Sequence, residues 1–282
     1  MRVTSVDIVV SNSNNVINLS FRDPTSQNPY IAKSITGLDA DEITSKFYGV
    51  SNLSNEKHYD LSLKNRDVVI QISLNPTFGL GKSYSDLRDD LYKIISSSRT
   101  GSIQLQFNNG DTTVAAISGF ITKFEAPHFT KNPEVQLTIN CSDPMLKALE
   151  QVNVNLLGLD PKLTTIIDDK STSPHGFRFG VIFTGTIVDF SIQDTVVPNW
   201  AFEVNLTGSS LVNFVAGDEL HFSSENNNRY LYLVRGFSII HLVDRIIPTS
   251  VWPVLFPGNN TFICSDKVSW DHITYYPTYW GV

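Results

Sequence analysis

Apolar residues recur along most of this chain at every second position, in runs of five to eight, and that spacing predicts strands. Val3–Val10 and Ile31–Gly37 fit the pattern, and Val68–Leu74 is an apolar run rich in β-branched residues. One stretch departs from it. Leu87, Leu91, Ile94 and Ile95 fall at i, i+4, i+7 and i+8 and predict a helix over 84–97. Asp86, Arg88, Asp89, Asp90 and Lys93 take its other face. Ser83 or Ser85 can cap its start, Asp86 stands three residues after Ser83 as in a capping box, and Gly101 can stop it. A hairpin is expected next, with Ser102–Phe107 and Thr112–Ile117 joined by a turn at Asn109-Gly110. Phe120–Glu125 and Glu134–Cys141 read as two further strands.

Asp143-Pro144 breaks the sheet pattern, so a domain boundary is expected near 143–150. The stretch Asp160–Gly176, with Pro161, Ser171, Ser173 and Pro174, reads as a long polar loop. Short strands are then expected at Phe177–Thr184, Trp200–Leu206, Glu219–Ser223, Tyr230–Val234, Trp252–Leu255, Thr261–Cys264 and His272–Tyr276. Turn signals separate them at Gly208-Ser209, Gly217-Asp218, Glu225–Asn228 and Pro257–Asn260. Many short strands at this spacing point to a sandwich or jelly roll.

Length and composition narrow the picture. The 282 residues suit about two domains. With 41% hydrophobic, 11% aromatic and only 17% charged residues, the chain is neither disordered nor a long coiled coil. The net charge is −7: residues 1–150 hold 14 basic and 16 acidic side chains, and the remainder 7 and 12. Neither half has the basic footprint of a nucleic-acid binder. No apolar run approaches the ~18 residues of a membrane-spanning helix. Asp7 interrupts any apolar leader, so synthesis in a cytoplasm is expected. Cys141 and Cys264 then read as small buried apolar residues rather than a disulfide.

Candidate chemistry is mostly excluded. Gly79-Leu80-Gly81-Lys82-Ser83 precedes a helix as a phosphate loop would, but the position of the loop's first glycine holds Pro76, which has no N–H. The six histidines, His58, His128, His175, His221, His241 and His272, show no metal-binding spacing and read as surface or strand-end residues. Asp89-Asp90 and Asp168-Asp169 are neighbours rather than carboxylates facing across a cleft, and read as solvated charges. No Gly-x-Ser-x-Gly elbow occurs. No catalytic residue, metal or cofactor is expected. Trp200 and Trp252 lie in strand patterns and read as core. The end Tyr275–Val282 is too aromatic to fray, so Tyr276, Tyr279 and Trp280 are interface candidates, docked on their own chain or on a neighbouring subunit.

Several segments resemble the distal tail protein (Dit) family of tailed bacteriophages. They are Ile35–Asp39, Asn65–Ile70, Leu74–Pro76, Tyr84–Lys93, Arg99–Gly101, Gly119–Ile121 with Glu125, Phe129–Gln136 and Cys141–Pro144. Trp252–Asn260 and Tyr279–Val282 are similar to the end of that family's galectin-like domain. The resemblance implies a mainly β chain in two parts. Residues 1–148 would be a sandwich or barrel-like ring-forming (belt) domain with the helix 84–97, and residues 149–282 a galectin-like β-sandwich. It implies a virion protein of the tail tip or baseplate, made in the host cytoplasm. As a hexameric ring, it would join the tail tube protein to the hub or tip protein. Some members carry receptor-binding parts. Genomic DNA would pass through the ring without specific binding, and no membrane is involved.

A second reading is a carbohydrate- or receptor-binding module acting through the galectin-like part. A galectin-type site wants His, Asn, Arg and Trp on adjacent strands. His221, Asn226 and Arg229 are candidates, with no Trp near them in sequence.

Overall fold

The computed structural model describes residues 3–10, 16–21, 27–39, 43–48, 57–97, 102–127, 134–154, 163–195, 201–207, 213–226 and 228–281. Gly101, His128, Pro161, Trp200 and Gly208-Ser209 lie outside the described residues. The chain divides into two compact units. The first comprises residues up to Leu149 together with Tyr279–Gly281, and the second runs Glu150–Thr278. The sequence expectation kept 279–282 with the second part.

The first unit holds β1 (Ser5–Val10), β2 (Val16–Phe21), β3 (Tyr30–Thr36), β4 (Ile43–Tyr48), β5 (Lys57–Leu63), β6 (Arg66–Leu74), α1 (Tyr84–Ser97), β7 (Ile103–Asn109), β8 (Thr112–Glu125), β9 (Glu134–Cys141) and β10 (Leu146–Lys147). Strands pair in the order β8-β7-β1-β2-β3-β6-β9, and β8 also pairs with β9. The sheet therefore closes into a seven-stranded barrel, antiparallel except at β2–β3. Closure abolishes the free edges of those strands. Period-2 alternation fills the interior: Val6, Ile8, Leu19, Ile70, Leu105, Phe107 and Leu137 are all buried. β4 and β5 form a separate hairpin.

The helix begins and ends as the pattern predicts. Ser83 N–H donates to Asp86 Oδ2 at 2.8 Å and Asp86 N–H to Ser83 Oγ at 3.3 Å, a reciprocal cap. That hydrogen bonding holds the Asp86 carboxyl below its ordinary range. Leu87, Leu91 and Ile95 are buried in the barrel core.

Two expectations are corrected here. The two strands expected at 112–117 and 120–125 are one, β8, which pairs with β7 by its first half and β9 by its second. Gly119 does not interrupt it. A Cβ there would lie 2.5 Å from Asn140 O, so glycine allows the close approach that lets β8 cross from one partner to the other. The hairpin turn is Gly110-Asp111, one residue later than expected, with Asn109 opposite Thr112.

The second unit holds β11 (Val152–Asn153), β12 (Leu163–Asp168), β13 (Arg178–Phe183), β14 (Asp189–Asp194), β15 (Ala201–Asn205), β16 (Glu219–Ser223), β17 (Tyr230–Arg235), β18 (Ser238–His241), β19 (Gly258–Cys264) and β20 (Val268–Tyr275). They form a six-stranded sheet, β11-β20-β13-β16-β17-β18, and a four-stranded sheet, β12-β19-β14-β15. Both contribute to one phenylalanine-rich core, which includes Phe179, Phe190, Phe202, Phe222 and Phe262. Rings there meet stacked or edge-on, as at Phe179–Phe222 (4.5 Å) and Phe202–Phe222 (4.8 Å). This is a β-sandwich.

The expected loop 160–176 contains β12, whose Thr164, Ile166 and Asp168 point inward. Its polar residues hid a period-2 pattern. The expected strand Trp252–Leu255 is not one. Pro253 has no N–H to give a ladder, and only Leu255 bridges, to His175. Trp252 packs on the core half-buried, and Trp270 belongs to the core. Cys141 and Cys264 are buried free thiols, and burial pushes the Cys264 thiol up.

The last strand, β21 (Thr278–Tyr279), joins the first unit's sheet beside β10.

Candidate functional site

The outer face of the six-stranded sheet carries a group of aromatic, imidazole and charged side chains. Alternation turns Phe179, Leu220, Phe222, Leu231 and Leu233 inward. It turns Arg178 on β13, His221 on β16, and Tyr230 and Tyr232 on β17 outward. A register shift between Gly180 and Val181 leaves Asp271 and His272 of β20 together beside Gly180. A Cβ on Gly180 would sit 2.4 Å from His272 Cε1, so the glycine makes room for the imidazole.

The rings form a continuous row. His221 stacks on Tyr232 at 4.9 Å and meets His272 at 5.7 Å. Tyr232 touches Tyr230 at 5.5 Å and His241 of β18 at 6.4 Å. Carboxylates flank the imidazoles: Glu219 lies 3.6 Å from His221, and Asp271 bonds His272 at 2.7 Å. Arg178 pairs with Glu225 at 2.6 Å and lies 6.0 Å from the Tyr276 ring centroid. The Glu225 hydrogen bond holds the Arg178 guanidinium above its ordinary value, and burial raises the Tyr230 phenol. Such a face can stack flat apolar surfaces and hydrogen-bond hydroxyls around them.

The sequence candidates separate here. His221 joins the row, while Asn226 lies exposed in the β16–β17 turn. Arg229 lies 5.4 Å from the Trp252 ring, which itself rests on Phe202 and Phe222. Trp252 is thus beside Arg229 although distant in sequence, and both belong to the flank of the core rather than to the His221 row. Sequence reading missed Tyr232, His241 and His272 because three separate strands, β17, β18 and β20, contribute them. Outward positions in a correct register would have been the only signal.

A second cluster is buried. Asp168 is 1% exposed, which corrects its reading as a solvated charge; Asp169 is exposed. Asp168 Oδ1 accepts from Ser171 N–H at 3.1 Å and Lys170 N–H at 3.4 Å. His175, 8% exposed and not at the surface as expected, places Nε2 3.7 Å from Asp168 Oδ2. Burial, with Asp168 adding to it, pushes the Tyr275 phenol up to about 12. Thr278 completes the cluster, bonding Ser173 Oγ at 2.7 Å and Ser171 Oγ at 3.1 Å. This knot fixes the exit of the chain from the second unit. The Ser173 and Thr278 hydroxyls bond each other, and the Ser171 hydroxyl accepts from the Thr278 backbone N–H.

Of the terminal interface candidates, Tyr276 is half-buried next to Arg178, Tyr279 packs on the barrel core, and Trp280 is half-buried in the first unit. Lys82 pairs with Asp90 at 2.6 Å rather than pointing at an anion site. Among the described residues no three His, Cys, Asp or Glu side chains gather as metal ligands.

No protein-family model and no curated protein matches this chain. Solved structures do. The crystal structure of the Dit protein of phage SPP1, called a paradigm of the hub adsorption apparatus in phages infecting Gram-positive hosts, matches with a TM-score of 0.60. That match covers 97% of this chain and 98% of that one at 11% identity. The phage P2 baseplate in its activated conformation with Ca matches at 0.41, with 8% identity and 97% of each chain covered. The same baseplate with Sr matches at 0.36, with 9% identity over 96% and 97%. At those scores neither P2 structure adds to the assignment. The chain has the fold of SPP1 Dit across both units.

Proposed function

We propose that this chain is a structural protein of a phage tail tip, of the distal-tail type. In this reading six copies form a ring through the first unit. The ring joins the distal end of the tail tube to the hub or tip protein and lets DNA pass without binding it. The chain is then a virion component without catalytic activity. One observation carries the reading: the likeness to SPP1 Dit runs through barrel, helix and sandwich, 97% of the chain, rather than through one common module. Immunogold labelling of intact virions tests it. Label confined to the distal end of the tail is expected, whereas label on the head or no label on intact particles would count against it.

A second reading gives the sandwich a receptor role, with a surface carbohydrate as ligand. The observation behind it is the outward row Tyr230, Tyr232, His221 and His272. Glycan-array binding by the full chain that disappears in Tyr232→Ala would favour it, and no binding would remove it.

A further inference from the structure

Two of the sandwich's four edge strands, β15 and β11, are guarded, and two, β12 and β18, pair on one side only among the described residues. At the β15 edge a following segment seals the strand. Ile247 N–H donates to Glu203 O and Val251 N–H to Ala201 O, each at 3.0 Å, and Ser250 Oγ accepts from Glu203 N–H at 2.9 Å. The β11 edge is two residues long. β18 has neither protection. It pairs with β17 alone.

Its register says which groups are left over. Arg235 and Ser238 flank the two-residue turn Gly236-Phe237. Residues flanking such a turn exchange hydrogen bonds, and the bonded pairs then alternate along the ladder. Leu233 and Ile240 are the next bonded pair, and Leu242 N–H continues the series to Leu231 O at 3.0 Å. The N–H and C=O groups of Ile239 and His241 therefore point away from β17. No backbone partner meets them among the described residues. Three apolar side chains along this edge are wet, Phe237 fully exposed, Ile239 64% and Val243 52%, beside the exposed polar Ser238 and His241. Ser238–His241 contains no Lys, Pro or bulge, the usual guards of an open edge.

We propose that β18 is a self-association edge, its occupant being the β18 of a second copy, paired antiparallel about Ile240. The edge is complementary to itself. Two outward-facing residues flank Ile240, so a two-fold axis there sets each Ile239 opposite the other copy's His241. Both residues of each such pair then exchange bonds, about four in all. The same register brings Phe237 of one copy toward Val243 of the other, covering the apolar groups that are now exposed. The strand has no charged residue to repel its copy. The two six-stranded sheets would become one sheet of twelve, and the pairing is isologous, so it closes at two. It is independent of any ring built by the first unit: it doubles a ring if rings form and doubles a monomer if they do not.

Sedimentation of the full chain at micromolar concentration, beside Ile239→Lys, tests the proposal. The expected result is a particle whose mass halves in Ile239→Lys, with melting unchanged. A wild-type particle with no two-fold multiple, or a mass that Ile239→Lys leaves intact, would overturn it. Should Ile239→Lys fail to fold, hydrogen exchange on the wild type decides. Slow exchange of the Ile239 and His241 amides that becomes fast on dilution is expected, and fast exchange at both concentrations overturns the pairing. Ring symmetry in electron micrographs reports separately on the tail-tip reading, so failure of one is not failure of the other.

Discussion

Arg66 donates from Nη2 to the backbone carbonyl of Trp280 at 3.0 Å, across 214 positions of sequence. Arg66 opens β6 and is 3% exposed, so its head group depends on acceptors from the chain. The end of the protein is thus part of the first unit's polar accounting.

Deleting residues 279–282 removes that acceptor together with Tyr279, which packs on the barrel core. A buried charged donor that loses a partner costs about 1–3 kcal/mol or more. A urea melt should show the truncated chain less stable by at least that amount. An unchanged midpoint would mean that the terminus rests on the barrel without supporting it.

Leu91 is fully buried on the inner stripe of α1. Leu91→Ala should cost about 2–5 kcal/mol in denaturant melts, because the cavity sits between a helix and a closed barrel that collapse only partly. A loss under about 0.5 kcal/mol would show the stripe to be peripheral.

Lys82 is held by Asp90, whose carboxyl that contact keeps below its ordinary range. Both side chains are solvent-accessible, and exposed pairs of this kind are worth about 0–1 kcal/mol. Lys82→Ala should therefore melt within about 1 kcal/mol of wild type. Calorimetric titration with ATP or GTP should give no heat for either protein. Nucleotide binding abolished by this variant would restore the phosphate-loop reading.

Tyr275 is one of the groups that make stability fall at alkaline pH. Its phenol is raised from 10.0 to about 12 in the native state, so the native state holds that proton longer than the unfolded chain does. The stability from this group is complete below pH 10 and falls as pH rises from 10 to about 12. Urea melts from pH 9 to 12 should show a fall in stability that is shallower in Tyr275→Phe. Equal slopes would show that Tyr275 is not the group that titrates.

The helix and the β7–β8 hairpin were legible because their signals are local: the Ser83–Asp86 cap, a clean 3.6 stripe, and alternation on either side of Gly110. β12 was not, because Thr164 and Asp168 fill inward positions that a hydrophobic pattern expects to be apolar. β18 escaped for the opposite reason: Ile239 is apolar and exposed. The outward ring row is assembled across four strands, and register is a property of pairing that no single strand carries. The same holds for the cluster around Asp168 and His175, where Ser171 and Ser173 bond a Thr278 more than a hundred residues away.

The ring itself is the central claim, and class averages of the purified chain by electron microscopy, alone and mixed with its tail tube protein, test it most directly. Six-fold rings are expected, each holding six chains of 31.5 kDa, about 189 kDa per ring whether or not rings pair. Single particles without rotational symmetry, both alone and on tubes, would contradict the account.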